Sequence, residues 1–465
     1  MEMRMFQGYL DGLINGKIEG WALSVDDEHP IFVTLLIDNV PVESRKASAF
    51  RQDVKDSNTS EGNCGFSFSI PERWRDGMWH DFSVRVMNAN YILPSNGLNR
   101  FRLGVGKSEV ERYRLQMEAL RTGSVTLSGE KELQADAPIA LFAIFNKTGN
   151  LSWSQRRMLQ ELNDRGLSVI LCQSTLEKFE SFAQQAAPYC AKMIFRTNFG
   201  RDFASWALQI DLFRDEVLSA PYVLFLNDSM IGPFGSMESL FEKFSAGGYD
   251  VFGLTDSWDR GYHIQSSLFF MSKTALSSPA FWRFLYSYTF SDDRDEIIRA
   301  GEIGFSRFLL NGELKCGVHA PFEEISALWL SRLEERVNEA IALPEGAMEH
   351  GSLDERQFLH RRRGHVDYAV DWYINKASNL REGYVVNPQH TFWRELLLDY
   401  QLPLIKKELL LHNPERAPIL WSMAQVIEDA FGAEAIEGIS HDARLLDATI
   451  PPLLRVRDRK ARSKK

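Results

Sequence analysis

The chain has 465 residues, a formal net charge of −10 and an ordinary globular composition, 44% hydrophobic and 25% charged. That length predicts two or three domains, and the negative charge argues against nonspecific nucleic-acid binding by the chain as a whole. Four widely spaced cysteines (Cys64, Cys172, Cys190, Cys316) form no CxxC or Cys/His pattern, and they read as buried thiols of a reducing compartment. Residues 1–10 have no long apolar core and no run of about 18 apolar residues follows, so the expected location is the cytoplasm.

Residues 1–104 predict an all-β sandwich. Runs such as Ile31–Ile37, Gly65–Ile70 and Phe82–Met87 alternate in polarity. Asp11-Gly12, Asn15-Gly16 and Asp76-Gly77 between the runs carry turn chemistry. Trp21, Trp74 and Trp79 either pack the core and edges or stack on sugars; Arg51 and Asp53 read as a structural ion pair. Residues 105–136 are charged with helical spacing over Val110, Tyr113, Met117 and Leu120, and read as a helical linker.

From Ala137 the pattern becomes strand, helix, strand. Buried strands are predicted at Ile139–Phe145, Leu167–Cys172, Ala191–Phe195, Tyr222–Leu226, Asp250–Leu254 and Ile264–Met271. Helices are predicted at Ser152–Arg165, Thr175–Ala186 and Phe203–Phe213. Such alternation implies a mostly parallel sheet with right-handed crossovers, whose ligands bind outside the carboxyl ends of the strands. Asn227, Asp228 and Ser229 end one strand. Asp228 offers a hard oxygen ligand for Mg²⁺ or Mn²⁺, with which a diphosphate would arrive. Asn198, Gly200, Arg201 and Asp202 follow another strand. Here an arginine fork suits phosphate oxygens and a carboxylate suits sugar hydroxyls, although Asp202 also reads as a helix N-cap.

The blocks N-F-G-R-D (198–202), V-L-F-L-N-D-S-M-I-G-P-F (223–234), H-I-Q-S-S-L-F-F-M (263–271) and E-I-G-F-S (302–306) resemble the rhamnan synthesis protein F family of bacterial glycosyltransferases. Asn387–Trp393 and Leu402–Leu409 resemble its late segments, with Leu404 where phenylalanine is usual. The likeness spans about residues 137–414. The N-terminal G-Y-L-D-G and G-W-A stretches, with Phe50–Asp53 and Cys64–Phe66, resemble a small β-sandwich appended to such enzymes.

The resemblance implies a GT-A-like α/β transferase domain over 137–414, with a C-terminal helical extension and basic tail over 415–465. It also implies transfer from a nucleotide-sugar donor such as dTDP-rhamnose to a lipid-diphosphate-linked surface glycan. Asn227-Asp228-Ser229 stands where GT-A enzymes carry Asp-x-Asp, but with one acid only. Metal would therefore be held by Asp228 and a late histidine, His390; the metal-free alternative uses Arg201 with Lys406 or Lys407 against the leaving diphosphate. Glu302 is the first candidate for the base that takes the acceptor proton, unless it only complements a helix N-terminus, and Asp256 is the second. Trp258, His263, Gln265 and Ser266 are candidates for acceptor or sugar binding.

The basic stretch 360–365 reads as a solvated loop or as a contact to the lipid-diphosphate acceptor or the membrane surface, and the tail Arg455–Lys465 predicts peripheral association with the inner membrane surface. Two other readings remain open: a noncatalytic glycan-binding or assembly protein, which the incomplete acidic motif favours, and a sugar-phosphate transferase.

Overall fold

Ile139–Ile144 and Ser168–Gln173 are buried at every position, and Tyr222–Asn227 at every position but the first. Continuous apolar runs of this kind arise when both faces of a sheet are covered. In the computed structural model they form the centre of a nine-stranded sheet. The structure describes residues 6–14, 16–25, 30–57, 61–71, 74, 79–87, 89, 91–95, 99–102, 109–342, 355–411, 414–415 and 420–445. The tail Arg455–Lys465 lies outside them, as do the side chains of 360–365.

Two compact units divide the chain, Met1–Tyr113 and Arg114–Lys465. The first is an all-β region of two four-stranded antiparallel sheets that share one core, including Leu10, Ile18, Val33, Leu35, Phe68 and Phe82. Trp74 is part of that core at 1% exposure, whereas Trp79 stands 60% exposed. Arg51 forms an ion pair with Asp53 and another with Asp11.

In the second unit the sheet order begins with Ser124–Ser128, Lys192–Arg196, Ser168–Gln173, Ile139–Ile144 and Tyr222–Asn227. It continues through Leu268–Ser272 and Val251–Ser257 to His263–Ile264, with Cys316–Ala320 also paired to Val251–Ser257. Four neighbours, from Lys192–Arg196 to Tyr222–Asn227, run parallel. Leu268–Ser272 is antiparallel to both of its neighbours, so the sheet is mixed rather than mostly parallel.

The predicted strand Ile264–Met271 is two strands, His263–Ile264 and Leu268–Ser272. Polar Gln265, Ser266 and Ser267 interrupt it. The predicted linker also differs. Glu109–Thr122 is helical, but Ser124–Ser128 is an edge strand on Lys192–Arg196, where alternating polarity suits one covered face. Residues 355–365 begin the helix Glu355–Arg381.

Helix Trp153–Asp164 starts in a capping box, Ser152 and Gln155 each bonding the other's backbone N–H, and turns Met158, Leu159 and Leu162 inward. Helices Leu420–Phe431 and Ala433–Leu445 form the C-terminal pair. The second docks on Trp153, where a Cβ on Gly438 would come within 2.2 Å of the indole. Among the described residues no helix is long and apolar enough to cross a membrane.

Candidate functional site

The parallel strands set the site. Ile139–Ile144 is central, with Ser168–Gln173 on one side and Tyr222–Asn227 on the other, so successive crossovers leave it in opposite directions. The loops at the carboxyl ends separate there, which opens a crevice. A cavity of about 230 Å³ occupies it, lined among others by Asn146, Lys147, Asn227, Asp228 and Lys407. Its wall includes Asp442, whose carboxylate accepts the backbone N–H groups of Trp153 (2.7 Å) and Ser154 (3.0 Å). The C-terminal helix is thus part of the crevice, a role no local pattern in residues 433–445 announces.

Asn227 organises the polar end of its strand. Its Oδ1 accepts from the backbone N–H and hydroxyl of Ser229, and its Nδ2 donates to Asp202 Oδ2 at 2.9 Å and to the Ser266 carbonyl at 3.4 Å. Ser266 in turn donates its hydroxyl to Glu302 Oε1 at 2.5 Å. One hydrogen-bonded chain therefore joins Asp202, Asn227, Ser266 and Glu302, which come from four separate stretches of sequence.

Lys406 and Lys407 arrive on a short ladder. Met230 pairs with Lys406 and Ile231 with Ile405, and the Lys407 N–H donates to the Ser229 carbonyl. Lys406 Nζ then reaches Ser229 Oγ at 2.9 Å, and Lys407 Nζ reaches Asp228 Oδ2 at 3.0 Å. Both lysines face the Asn-Asp-Ser turn, so neither is simply solvated. Burial lowers the affinity of Lys406 for its proton, while the charges of Glu302, Glu408 and Asp202 act the other way.

Glu302 is not at a helix start. It lies in the π-helical segment Ile297–Ile303, which runs straight into helix Gly304–Asn311, so the dipole reading does not hold. Single turns of π-helix are rare and concentrate at functional sites. Gly301 lets this segment close on helix Arg201–Leu212, since a Cβ there would stand 2.7 Å from the Phe203 ring. Glu302 is thereby carried towards Asp202. His263 is buried, with Nδ1 against the Gly261 carbonyl and Nε2 3.8 Å from Glu302 Oε2. Gln265 accepts from Thr255 Oγ1.

Other candidates sit elsewhere or are otherwise engaged. Asp256 is buried and accepts the Phe322 N–H at 2.7 Å, at the start of helix Phe322–Ser331. Burial raises its pKa. Trp258 is 49% exposed and meets Tyr262 edge-on. Asn198 is exposed and lines a second cavity, of about 440 Å³, with Ser174, Thr175 and Thr197. The Gly200 N–H donates to Asp292, and Arg201 Nη2 donates to the carbonyl of the same residue. Asp202 is within the first turn rather than at the N-cap, which is Gly200.

Asp228 and His390, the two expected metal ligands, each have another partner here. Asp228 is paired with Lys407, and His390 Nε2 lies 3.3 Å from Glu408 Oε2. That histidine holds the Glu408 carboxyl down at about 2. Among the described residues no group of three or more His, Cys, Asp or Glu side chains could hold a metal ion by itself, whereas Mg²⁺ on a bound diphosphate needs only one or two carboxylates.

The Asp202 carboxyl is pushed up to about 6, first by burial and next by the charge of Asp228, with Asn227, Arg196 and Lys406 opposing. A raised acid keeps a proton in the fold that the unfolded chain has released. Its contribution to stability is therefore present below about pH 4 and lost as pH rises through about 6. The rise from 3.8 caps the effect at about 3 kcal/mol, and partial exposure reduces it to about 1 kcal/mol. Asp202→Asn is expected to raise stability at pH 7.5 by about that amount relative to pH 4.5. Urea midpoints of both proteins at the two pH values test this, and a difference independent of pH contradicts it.

Residues 168–319 match the family model for rhamnan synthesis protein F. The matched segment runs from strand Ser168–Gln173 into strand Cys316–Ala320, and contains Asp202, Asn227, Asp228, Ser266 and Glu302. Lys406, Lys407 and His390 lie beyond it. The chain is also similar to the virulence protein VirA of Vibrio anguillarum (strain ATCC 68554 / 775). The two are 27% identical over 253 residues, 54% of this chain and 71% of that protein. A second VirA of Vibrio anguillarum matches to the same extent.

Proposed function

We propose that the chain is a glycosyltransferase of polysaccharide synthesis, with a GT-A-like arrangement of its second unit. It would move a sugar, rhamnose in the first instance, from a nucleotide-sugar donor to a surface-glycan acceptor. The carrying observation is the crevice at the point where the strand order reverses, with Lys406 and Lys407 laddered over the Asn227-Asp228-Ser229 turn. The family match over residues 168–319 supports polysaccharide synthesis as the setting.

In this reading the donor nucleotide enters the crevice beside Asn146 and Lys147, and the diphosphate lies against the two lysines. Asp202 and Asn227 orient the sugar. Glu302, steadied by Ser266, takes the proton of the acceptor hydroxyl as that oxygen bonds to the anomeric carbon. The bond from the anomeric carbon to the diphosphate oxygen breaks, and the nucleoside diphosphate leaves with the electron pair. Two ammonium groups fixed in advance in a partly dry crevice supply the charge stabilisation that such a departure needs. Arg201 is exposed and offers a fork for the same phosphates.

Thermal unfolding with UDP-, GDP-, CDP- and dTDP-sugars, each with EDTA or Mn²⁺, tests this. One nucleotide at 100 times its Kd should add about 2.7 kcal/mol of stability, with EDTA present as well as with Mn²⁺. The same sugar nucleotide should be turned over, releasing its nucleoside diphosphate. Stabilisation by none of the panel, together with no turnover, would sink the transferase reading and favour a noncatalytic glycan-binding protein.

A further inference from the structure

We propose that Arg196 is a positioning residue, whose buried guanidinium fixes the backbone of residues 197–201 and so sets where Arg201 and Asp202 stand at the sheet edge. Its functional consequence rests on the donor site proposed above; its hold on the loop rests on hydrogen bonds alone.

Arg196 ends strand Lys192–Arg196, and its exposure is 0%. Nη1 donates to the carbonyls of Thr197 (2.9 Å) and Phe199 (2.6 Å), and Nη2 to that of Arg201 (2.5 Å). Nε and Nη2 both reach Ser205 Oγ, at 3.1 and 2.8 Å. Three carbonyls within five residues thus turn inward onto one side chain. These acceptors are carbonyls and a hydroxyl, with no carboxylate among them.

A guanidinium buried in this way is tolerable only because the carbonyl dipoles replace its water. The dependence also runs in reverse. Without the cation, those carbonyls would be left inward-facing and unpaired. The loop would instead relax, because Gly200 (φ 69°) and Arg201 (φ 46°) are both left-handed. A non-glycine residue keeps that conformation only where its surroundings impose it. Relaxation would move Arg201 and, one residue on, Asp202, whose carboxylate accepts from Asn227. Lysine cannot substitute, because its single ammonium does not match a fork of acceptors.

Hydrogen exchange on the full chain tests the proposal, with Arg196→Lys and Ser205→Ala beside wild type. Amides 197–202 should exchange at least about tenfold faster in Arg196→Lys, the loss of about 1.4 kcal/mol of local protection. Strands Ile139–Ile144 and Tyr222–Asn227 should be unchanged. Ser205→Ala should show the same local effect, smaller, and keeps the test alive if Arg196→Lys does not fold. Unchanged exchange at 197–202, or equal acceleration in the central strands, overturns the proposal.

The nucleoside diphosphates UDP, GDP, CDP and dTDP serve as binding probes. Whichever binds wild type should bind Arg196→Lys at least about tenfold more weakly, with the donor KM rising more than kcat falls. Equal affinity overturns the functional part. Failure of wild type to bind any probe counts against the donor site itself, and the exchange pattern then decides the role of Arg196.

Discussion

Glu302→Gln is expected to lower kcat by about 10²–10⁴, the range over which a positioned general base contributes. Glutamine preserves the shape and the oxygen that accepts from Ser266, which receives both the hydroxyl and the N–H of that serine. Thermal stability and nucleoside diphosphate affinity should therefore stay close to wild type. The rate loss should be in kcat, because the proton moves only as the transition state forms. Single-turnover kinetics with the donor identified by thermal shift is the measurement. If the variant retains more than about a tenth of wild-type activity, another group takes the proton. Asp256→Asn is the natural comparison. Its carboxylate is occupied at the start of helix Phe322–Ser331, so that change should act mainly on stability.

Glu395→Ala is expected to cost about 3–5 kcal/mol of stability, the largest loss from a single side chain considered. Arg336 and Glu395 meet at 2.6 Å with side-chain exposures of 4% and 2%. Removing the carboxylate strands a buried guanidinium, whose other acidic neighbour Glu339 is 3.5 Å away and also bound by Arg394. The paired replacement Arg336→Met with Glu395→Leu should recover most of the loss, because it removes both desolvated charges together. Urea denaturation followed by tryptophan fluorescence gives the comparison. Equal losses in the single and double variants would show that packing, not the stranded charge, is responsible.

These two outcomes bear on different parts of the molecule. Glu302 sits in the π-helical segment Ile297–Ile303, hydrogen-bonded to Ser266, whereas Arg336 and Glu395 tie helix Leu333–Ile341 to helix Trp393–Leu398. The second element also leads, through Leu402 and Leu404, to the ladder that presents the lysines. Loss of the buried pair should therefore weaken the lysine strand along with the fold.

Much of this was legible in the residues themselves. Runs such as Ile139–Ile144 and Val169–Cys172 are apolar throughout because both faces are covered, and that demand is written locally. The polar turn Asn227-Asp228-Ser229 stood out because it ends such a run. Residue type alone could not say what each polar group would meet. Nothing near Asp228 in sequence shows that Lys407, 179 residues away, faces it. The alternative reading of Glu302 as a helix-start charge fell only to the π-helical segment before Gly304.

Strand direction was also decided only in three dimensions. Leu268–Ser272 and the parallel strands are equally buried, so burial cannot distinguish them, and only pairing with Tyr222–Asn227 makes the sheet mixed. Ser124–Ser128 is too short and polar to declare itself until Lys192–Arg196 offers its edge. Arg196 and Asp442 are the clearest cases. An arginine at a strand end and an aspartate in a C-terminal helix carry no local mark. Their roles come from carbonyls turned by the loop after the strand, and from N–H groups 288 and 289 residues away in sequence. Local sequence determines which segments must be buried and which turns must be polar, because those costs are paid residue by residue. Which charges meet across the crevice is set by chain crossings, and only the assembled fold decides that.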